Sequence, residues 1–559
     1  MYKYLVLIIY LLSFSSLEAQ KCYNLKSLKA EILYKTRAGN LKGAIDVYKT
    51  YRSQIDGDDF ELLQQIAFTT LEQGYRSKDP QEQFLAIYGA GMARSSRMLY
   101  IFERGLSNED PKIQLASLYF LNDLHDDRAD ELVKKAMSSN YVVIRLEAAK
   151  MLAAKKDLNA ALQIEGLMCK LDPVLLPLFP PLFALAGDTY STIMLKKFLS
   201  DPNPELRLAT ILSIIDYKRD DLLPRLRTLA IHGNHEEQEA ASFALGELKD
   251  RGSLKILETQ SKCNKESVRL AALLSLYKLG DIKVIDCIAK LALQGNIFAI
   301  SALGNLPETE ELLFLLSKNA NITVRFNAAL ALLQKRDARC TQVLLEILLK
   351  DSKDLAVIEY PSPGFVMSAW RVVHSASARV DPTSQEAEIL TTTKDKILSA
   401  TIDLPTEDFF KLAAILLDTN DPELVPTLIS LIESLKSTQA TEFLVKELQR
   451  AGAPLLRSYC NLALFRLREP GPYAEYVRAW VKELRNIDLI TFRPFMPRTR
   501  GESSYALTPG ETSRLFVEAL TALSNQKDPE AIDALLTAIS GGYPSNRYAL
   551  AGLLIRATE

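Results

Sequence analysis

A surplus of charge of either sign is what this sequence lacks first: 67 basic residues stand against 69 acidic ones, a net −2 over 559 residues. Without a basic excess there is no electrostatic footprint for a polyanion, so nucleic acid is not expected as a partner. Aromatic residues are sparse too, at 8% with two tryptophans, although 48% of the chain is hydrophobic. A core poor in rings and rich in alanine and leucine suits a helix interface repeated many times better than one large globular centre. The six cysteines (Cys22, Cys169, Cys263, Cys287, Cys340 and Cys460) nowhere form a C-x-x-C pair, which argues against structural zinc. Cys263 and Cys287 fall in neighbouring elements, so a disulfide stays open for an exported chain, whereas Cys460 suits a small apolar slot. G-x-S-x-G, P-loop, zincin and Rossmann fingerprints are all missing. No catalytic set is visible, and neither a metal nor a cofactor is expected.

Long apolar runs are also rare, and the one at the start of the chain is short. Lys3 precedes an apolar stretch from Tyr4 to Phe14, about 11 residues against the roughly 20 that cross a bilayer. With a plausible cleavage after Ala19, residues 1–19 read as a secretory signal peptide, the alternative being a buried N-terminal helix. Glu18-Ala19-Gln20-Lys21 ahead of Cys22 lacks the small residues that lipid attachment needs. The expectation is export to the periplasm or beyond, with no stable membrane span once the signal is removed.

What the sequence does contain is a recurrence. A residue in the first turn of a helix returns at Gln83, Gln114, Arg145, Leu176, Arg207, Gln238, Arg269, Asn296 and Arg325, with spacings of 31 six times, then 27 and 29. Proline stands three residues before it at Pro80, Pro111, Pro173 and Pro204, and an apolar residue seven after it at Leu121, Leu152, Ile214, Leu245, Leu276, Leu303 and Leu332. Seven residues are two helical turns, so anchor and apolar residue share one face. Each unit reads as a helix opened by proline, closed by a break such as Gly246 or Gly280-Asp281, and followed by a second amphipathic helix such as 281–293 or 339–349. No single pair can bury its own apolar stripe, so neighbouring pairs must stack. The predicted fold is all-α, an α-solenoid of antiparallel helix pairs.

The runs DPNPELRLATILSI (201–214), KESVRLAALLSLYKLGD (265–281), NITVRFNAALALL (321–333) and EEQEAASFALGEL (236–248) resemble HEAT repeats of the short bacterial type also found in phycobilin lyases. The family pattern of Val-Arg with a following Ala falls on Val268, Arg269 and Ala272, and on Val324, Arg325 and Ala328. The resemblance implies an armadillo-type superhelix and leaves function open, since such proteins range from scaffolds to a few enzymes. Deoxyhypusine hydroxylase, within that group, holds two irons with several His-Glu pairs. Here only His235 of the four histidines precedes a glutamate, so that site is not implied.

The expected organisation is a signal peptide (1–19), an N-terminal helical cap (20–78), the clear repeats (79–350), an irregular insertion with linker helices (351–405), and degenerate repeats (406–559). In the cap, AGNLKGAIDVYKTY (38–51) is similar to a tetratricopeptide helix, with Ala44 and Tyr48 on one face. PVLLPLFPPLFALAG (173–187) carries four prolines, so its helix must start near Pro180 or Pro181. It reads as an apolar notch for a partner or as an irregular buried repeat. Helix pairs are expected at 406–419 with 421–435 and at 510–526 with 528–540, and the motif returns at Arg457 and, 90 residues later, at Arg547.

Two interruptions carry the candidate contacts. The loop 351–386 holds Tyr360 and Trp370, favoured interface anchors that could equally seal two stacks together. The loop 486–511 holds Phe492, Arg493, Phe495, Arg498 and Arg500, whose rings and guanidinium forks suit carboxylate or phosphate, with Asp488, Glu502 and Glu511 offsetting the charge. The repeated Arg145, Arg207, Arg269, Arg325 and Arg457 are read as structural, tying repeats by ion pairs or hydrogen bonds. The functional expectation is an exported scaffold that binds a protein or peptide in the cell envelope and is not an enzyme. The alternative is a repeat-scaffold enzyme or small-ligand carrier.

Overall fold

Helices here start on a short polar side chain and stop on a left-handed residue, and both signals recur at the repeat period. The computed structural model describes residues 24–55, 57–157, 159–349, 394–484, 507–526 and 528–559, among which every regular element is an α- or 3-10 helix. Asp79, Asp110 and Asn203 each precede a first-turn proline, and their side chains accept from the N–H groups of Gln81, Lys112 and Glu205. Asn234 closes a full capping box with Glu237. These caps satisfy N–H groups that the first turn leaves without a helical partner, while proline gives up no bond there.

The breaks are built alike. Lys156, Gly187, Lys218, Lys249 and Gly280, spaced by 31, all have positive φ, and Glu308 and Arg336 follow suit. The next N–H in these turns reaches back to the first helix: Asp157 to the Leu152 carbonyl, Arg219 to Ile214, Asp250 to Leu245, Asp281 to Leu276 and Asp337 to Leu332, all at 2.9–3.0 Å. This is the Schellman arrangement, whose accepting carbonyls belong to the apolar residues seven beyond each anchor. The aspartates then cap the second helix, Asp188 accepting from Ser191, Asp250 from Gly252, Asp281 from Lys283 and Asp337 from Arg339.

Gly246 is therefore not a break. It lies inside the helix His235–Glu247, where an added Cβ would fall 2.5 Å from the Ser275 Cα of the next first helix. It is glycine because two backbones approach there, and Ser275 Oγ uses the approach to donate to the Ser242 carbonyl at 2.8 Å. Asn296 is likewise not a first-turn residue. It is the N-cap of Ile297–Leu303, and alignment on the caps puts Ile300 at the anchor position, one full period after Arg269. In the proline-rich unit a 3-10 segment Pro173–Leu178 leads into the helix Pro180–Ala186, starting where the prolines require.

The chain divides into two compact units, one formed by Arg145–Leu435 and a discontinuous one formed by Met1–Ile144 with Lys436–Glu559. In the unit 145–435, Pro204–Asp216 packs on His235–Glu247, that helix on Glu266–Lys278, and Ile297–Leu303 on Ile322–Gln334. The pair Thr406–Asp418 and Leu424–Ser434 closes it in sequence.

In the other unit the last helix, Arg547–Thr558, lies against both Phe60–Tyr75 and Pro80–Ala93, and Leu41–Ile55 meets Pro529–Gly541. The contact is close enough to require glycine. A Cβ on Gly552 would sit 2.9 Å from the Gly89 carbonyl carbon, and one on Gly74 would enter the Tyr548 ring. Arg547 pairs with Glu82 at 2.8 Å, Arg52 pairs with Asp533, and Gln64 Nε2 donates to the Thr558 carbonyl at 3.1 Å. Within residues 24–75, Ala44 and Tyr48 are both buried, and Tyr48 and Tyr51 donate to Asp58 and Asp59 at 2.9 and 2.8 Å.

Candidate functional site

The anchors of the repeat are spent on the backbone. Six residues separate six of the anchors from the carbonyl they bind: Gln83 donates to Ser77 at 2.7 Å, Arg325 to Asn319 at 3.0 Å, Arg457 to Ala451 at 3.0 Å, Arg269 to Cys263 at 3.5 Å, and Gln114 and Arg207 to Asn108 and Asp201, while Gln238 reaches the Ile231 carbonyl seven residues back at 3.2 Å. Each bond ties the first turn of a helix to the loop entering it. Several anchors also reach a neighbouring element. Asn108 donates to Gln83 Oε1 at 2.9 Å and Ser139 to Gln114 Oε1 at 2.7 Å, while Arg207 Nε donates to Glu237 at 2.7 Å and Arg325 pairs with Glu346 at 3.0 Å. Arg145 differs, because its Nε is buried with no hydrogen-bond partner among the described residues.

With the first helices mostly committed to packing, the second helices of the unit 145–435 carry most of the exposed apolar residues, Ile415 on Thr406–Asp418 and Ile282 on a 3-10 segment being exceptions. Counted from the position that enters each second helix (157, 188, 219, 281 and 337), Leu162 and Ile193 fall fifth, and Ile231, Leu293 and Leu349 fall twelfth. Five and twelve differ by seven, two turns, so these five side chains share one face of their helices, the intervening second helices Leu254–Gln260 and Glu310–Leu316 having no exposed apolar residue in that register. All are 46–58% exposed. Leu254 and Leu315 are also exposed on second helices, off that register. A single exposed leucine is ordinary, but a row repeated from helix to helix is what partner-binding surfaces present. The notch residues Val174 and Leu178 add to the exposed apolar surface of the same unit.

In the other unit a polar groove of about 520 Å³ opens between the loops at 106–109 and 138–141, lined by Ser107, Glu109, Lys135, Asn140 and Tyr141. Tyr141 OH donates to the Glu109 carbonyl across it, and Lys135 pairs with Glu103 at 3.0 Å. Tyr360, Trp370, Phe492, Arg493, Phe495, Arg498 and Arg500 lie outside the described residues.

His235 opens its helix next to the Asn234 cap. Among the described residues no group of three or more His, Cys, Asp or Glu side chains is placed to hold a metal ion, and no helix is long and apolar enough to cross a membrane. Burial pushes the Cys340 and Cys460 thiols up to about 12, aided at Cys340 by Asp337 and at Cys460 by Glu447. Neither can act as a thiolate nucleophile near neutrality. Cys169 and Cys287 are exposed free thiols.

A family model for HEAT repeats matches residues 191–276. This stretch of the chain is built of HEAT repeats. The matched stretch begins in the second helix carrying Ile193 and ends at Leu276, one of the Schellman carbonyls, so the HEAT signature coincides with the most regular repeats. No curated protein matches the sequence. Among solved structures, yeast importin-β is 12% identical, covering 93% of this chain and 74% of its own at a TM-score of 0.31. UNC-45 from Drosophila melanogaster is 10% identical, covering 95% and 93% at 0.27. Human deoxyhypusine hydroxylase with glycerol is 15% identical, covering 50% and 95% at 0.20.

The second-helix row was missed in the sequence because the repeats were aligned on the first helix. The aspartate at the start of the second helix, returning at 126, 157, 188, 250 and 281, was the signal that would have found it.

Proposed function

We propose that this HEAT protein is an exported scaffold that binds a protein or peptide partner along the second helices of the unit 145–435. The row Leu162, Ile193, Ile231, Leu293 and Leu349 carries the reading. Neighbouring helices lie roughly 8–10 Å apart, and a partner helix advances about 10 Å in seven residues. A helix laid along the row offers apolar side chains at i and i+7 to the repeats that carry a row residue, the second helices Leu254–Gln260 and Glu310–Leu316 contributing none in that register. The loops 351–386 and 486–511 are proposed to add selectivity.

A photo-crosslinking residue at Ile193 or Leu293 is expected to form protein adducts in envelope fractions, and the same residue at Tyr217, off the row, is not. Once the partner is known, the double variant Ile193→Glu, Leu293→Glu is expected to melt like wild type and bind at least tenfold more weakly, since each buried aliphatic is worth about 1.5–3 kcal/mol. Equal crosslinking at Tyr217, or undiminished binding by the double variant, refutes the row. Export is tested separately: the mature N-terminus is expected at Gln20, and an intact Met1 in the soluble pool refutes it.

A further inference from the structure

The apolar row skips two second helices, and what stands in the gaps is lysine. Asp250 and Thr309 follow the left-handed Lys249 and Glu308, so they enter Leu254–Gln260 and Glu310–Leu316 as Asp188 and Asp281 enter theirs. Counted from Asp250, the fifth and twelfth residues are Lys255 and Lys262, both exposed. Leu223–His232 packs beside Leu254–Gln260, so the twelfth positions run Ile231, Lys262, Leu293. The ninth position lies on the same face, one turn from each of the other two, and it is an exposed lysine at Lys197, Lys290 and Lys318. None of these five lysines has an ion pair among the described residues, the Lys318 ammonium lying 3.8 Å from the centre of the Phe314 ring. The acids in the three positions are Asp286 and Glu346, and Arg325 already holds the second at 3.0 Å. At the edge of the face, in the eighth position, Glu165 and Glu258 offset Lys196 and Arg227. The face is thus basic in a chain whose net charge is −2.

We propose that the partner of this face is an acidic amphipathic helix, with carboxylates opposite the lysines and apolar side chains opposite the apolar row. The inference rests on that row being the docking face, and adds which partner it accepts. From Ile231 to Leu293 the second helices advance about 8–10 Å per repeat, and a partner helix about 10 Å per seven residues. The partner therefore reads apolar at i, acidic at i+7 opposite Lys262, and apolar at i+14, an order that is the same in both directions of the helix. Carboxylates at i+3 and i+11 share that partner face, among the lysines of the fifth and ninth positions. Exposed ion pairs are individually weak, but a face charged with one sign selects its partner and turns basic ones away. Nucleic acid offers negative charge without the apolar residues that Ile231 and Leu293 require. A lipid surface offers both without register, so the alternation of leucine, isoleucine and lysine favours a helix.

The test uses the full chain and two fluorescent, alanine-based helical peptides of about three heptads. Both carry Leu at i and i+14, and one has Glu, the other Lys, at i+3, i+7 and i+11. By anisotropy at about 50 mM salt the Glu peptide is expected to bind roughly tenfold more tightly, the gap closing at about 0.5 M as the charges are screened. The double variant Lys255→Glu, Lys262→Glu is expected to reverse the preference and to melt like wild type. A purely structural role for these lysines predicts a lower melting point with the preference intact, and that result overturns the proposal. Equal binding of the two peptides, both weakened by Ile231→Glu, Leu293→Glu, keeps the apolar row and overturns the acidic partner. Binding of neither peptide overturns both. If the peptides are not told apart while phosphatidylglycerol vesicles capture wild type and not the lysine variant, the lysines serve a membrane surface and the proposal falls.

Discussion

Gly552→Ala and Gly510→Ala make the same chemical change in the same unit, and the structure assigns them opposite signs. Alanine is favoured over glycine inside a helix by about 0.8–1 kcal/mol. At Gly510, the second residue of Pro509–Asn525, a Cβ meets nothing within 4 Å, so a gain of a few tenths to about 1 kcal/mol is expected. At Gly552 the Cβ falls within the van der Waals sphere of the Gly89 carbonyl oxygen, 2.9 Å from its carbon and 3.1 Å from Met92 Cβ. These are backbone and Cβ atoms, which cannot swing aside, so Arg547–Thr558 must move off Pro80–Ala93 by half an ångström or more. Overpacking of this kind costs about 1–3 kcal/mol. Set against the propensity gain, the net is a loss of up to about 2 kcal/mol. Urea unfolding followed by Trp480 fluorescence in a Trp370→Phe background measures both. If Gly552→Ala is as stable as Gly510→Ala, the close approach of the two helices is wrong.

Lys249 sits at φ 54°, a conformation that costs a residue with a Cβ about 1–2 kcal/mol, so Lys249→Gly is expected to stabilise by about 1 kcal/mol in urea melts. A loss there would refute the left-handed break. Arg227, Arg219 and Arg339 hold the Asp250, Asp221 and Asp337 carboxyls below the usual 3.8. Their ion pairs therefore stabilise fully above pH 3.8 and are lost as pH falls through the lower native values. The urea midpoint is expected to drop on acidification from about pH 5 to about pH 3, with a shallower slope in Arg227→Gln; an unchanged slope contradicts the pairing. In a Cys22→Ser chain, a thiol reagent at neutral pH is expected to label Cys169 and Cys287 rapidly and Cys340 and Cys460 only after denaturation. Peptide mapping that finds Cys460 labelled in the native protein would disprove its burial.

How far the fold could be read in advance depended on the range of the interaction involved. Proline and Asp or Asn at the helix starts act within a single turn, so Asp79-Pro80, Asp110-Pro111 and Asn203-Pro204 announced their helices. The helix ends were harder. Of the five left-handed residues that recur at the repeat period, only Gly187 and Gly280 look like breaks in sequence, whereas Lys156, Lys218 and Lys249 do not. Gly246 misled for the opposite reason, being glycine on account of Ser275 in the next repeat and not of its own φ. Asn296 misled because most anchors are polar, as Gln83, Arg207 and Arg269 are, whereas this repeat has Ile300 there. The candidate face was legible only once the second helices were placed, since its members shift from the fifth position in Leu162 and Ile193 to the twelfth in Ile231, Leu293 and Leu349.

By itself the sequence determined the brick: an all-α helix pair with polar caps, an anchor bound to the loop just before it, and an apolar residue two turns on. All of these are local, set by backbone hydrogen bonding and the 3.6-residue turn, and a periodic pattern records them faithfully. Which brick adjoins which was decided in three dimensions. A helix with one apolar stripe specifies that it must be covered, not by what, and nothing in 547–558 names Phe60–Tyr75 and Pro80–Ala93, far earlier in the sequence, as its neighbours. That choice rests on shape: the glycines at 74, 89 and 552 let Tyr548 and two backbones come together.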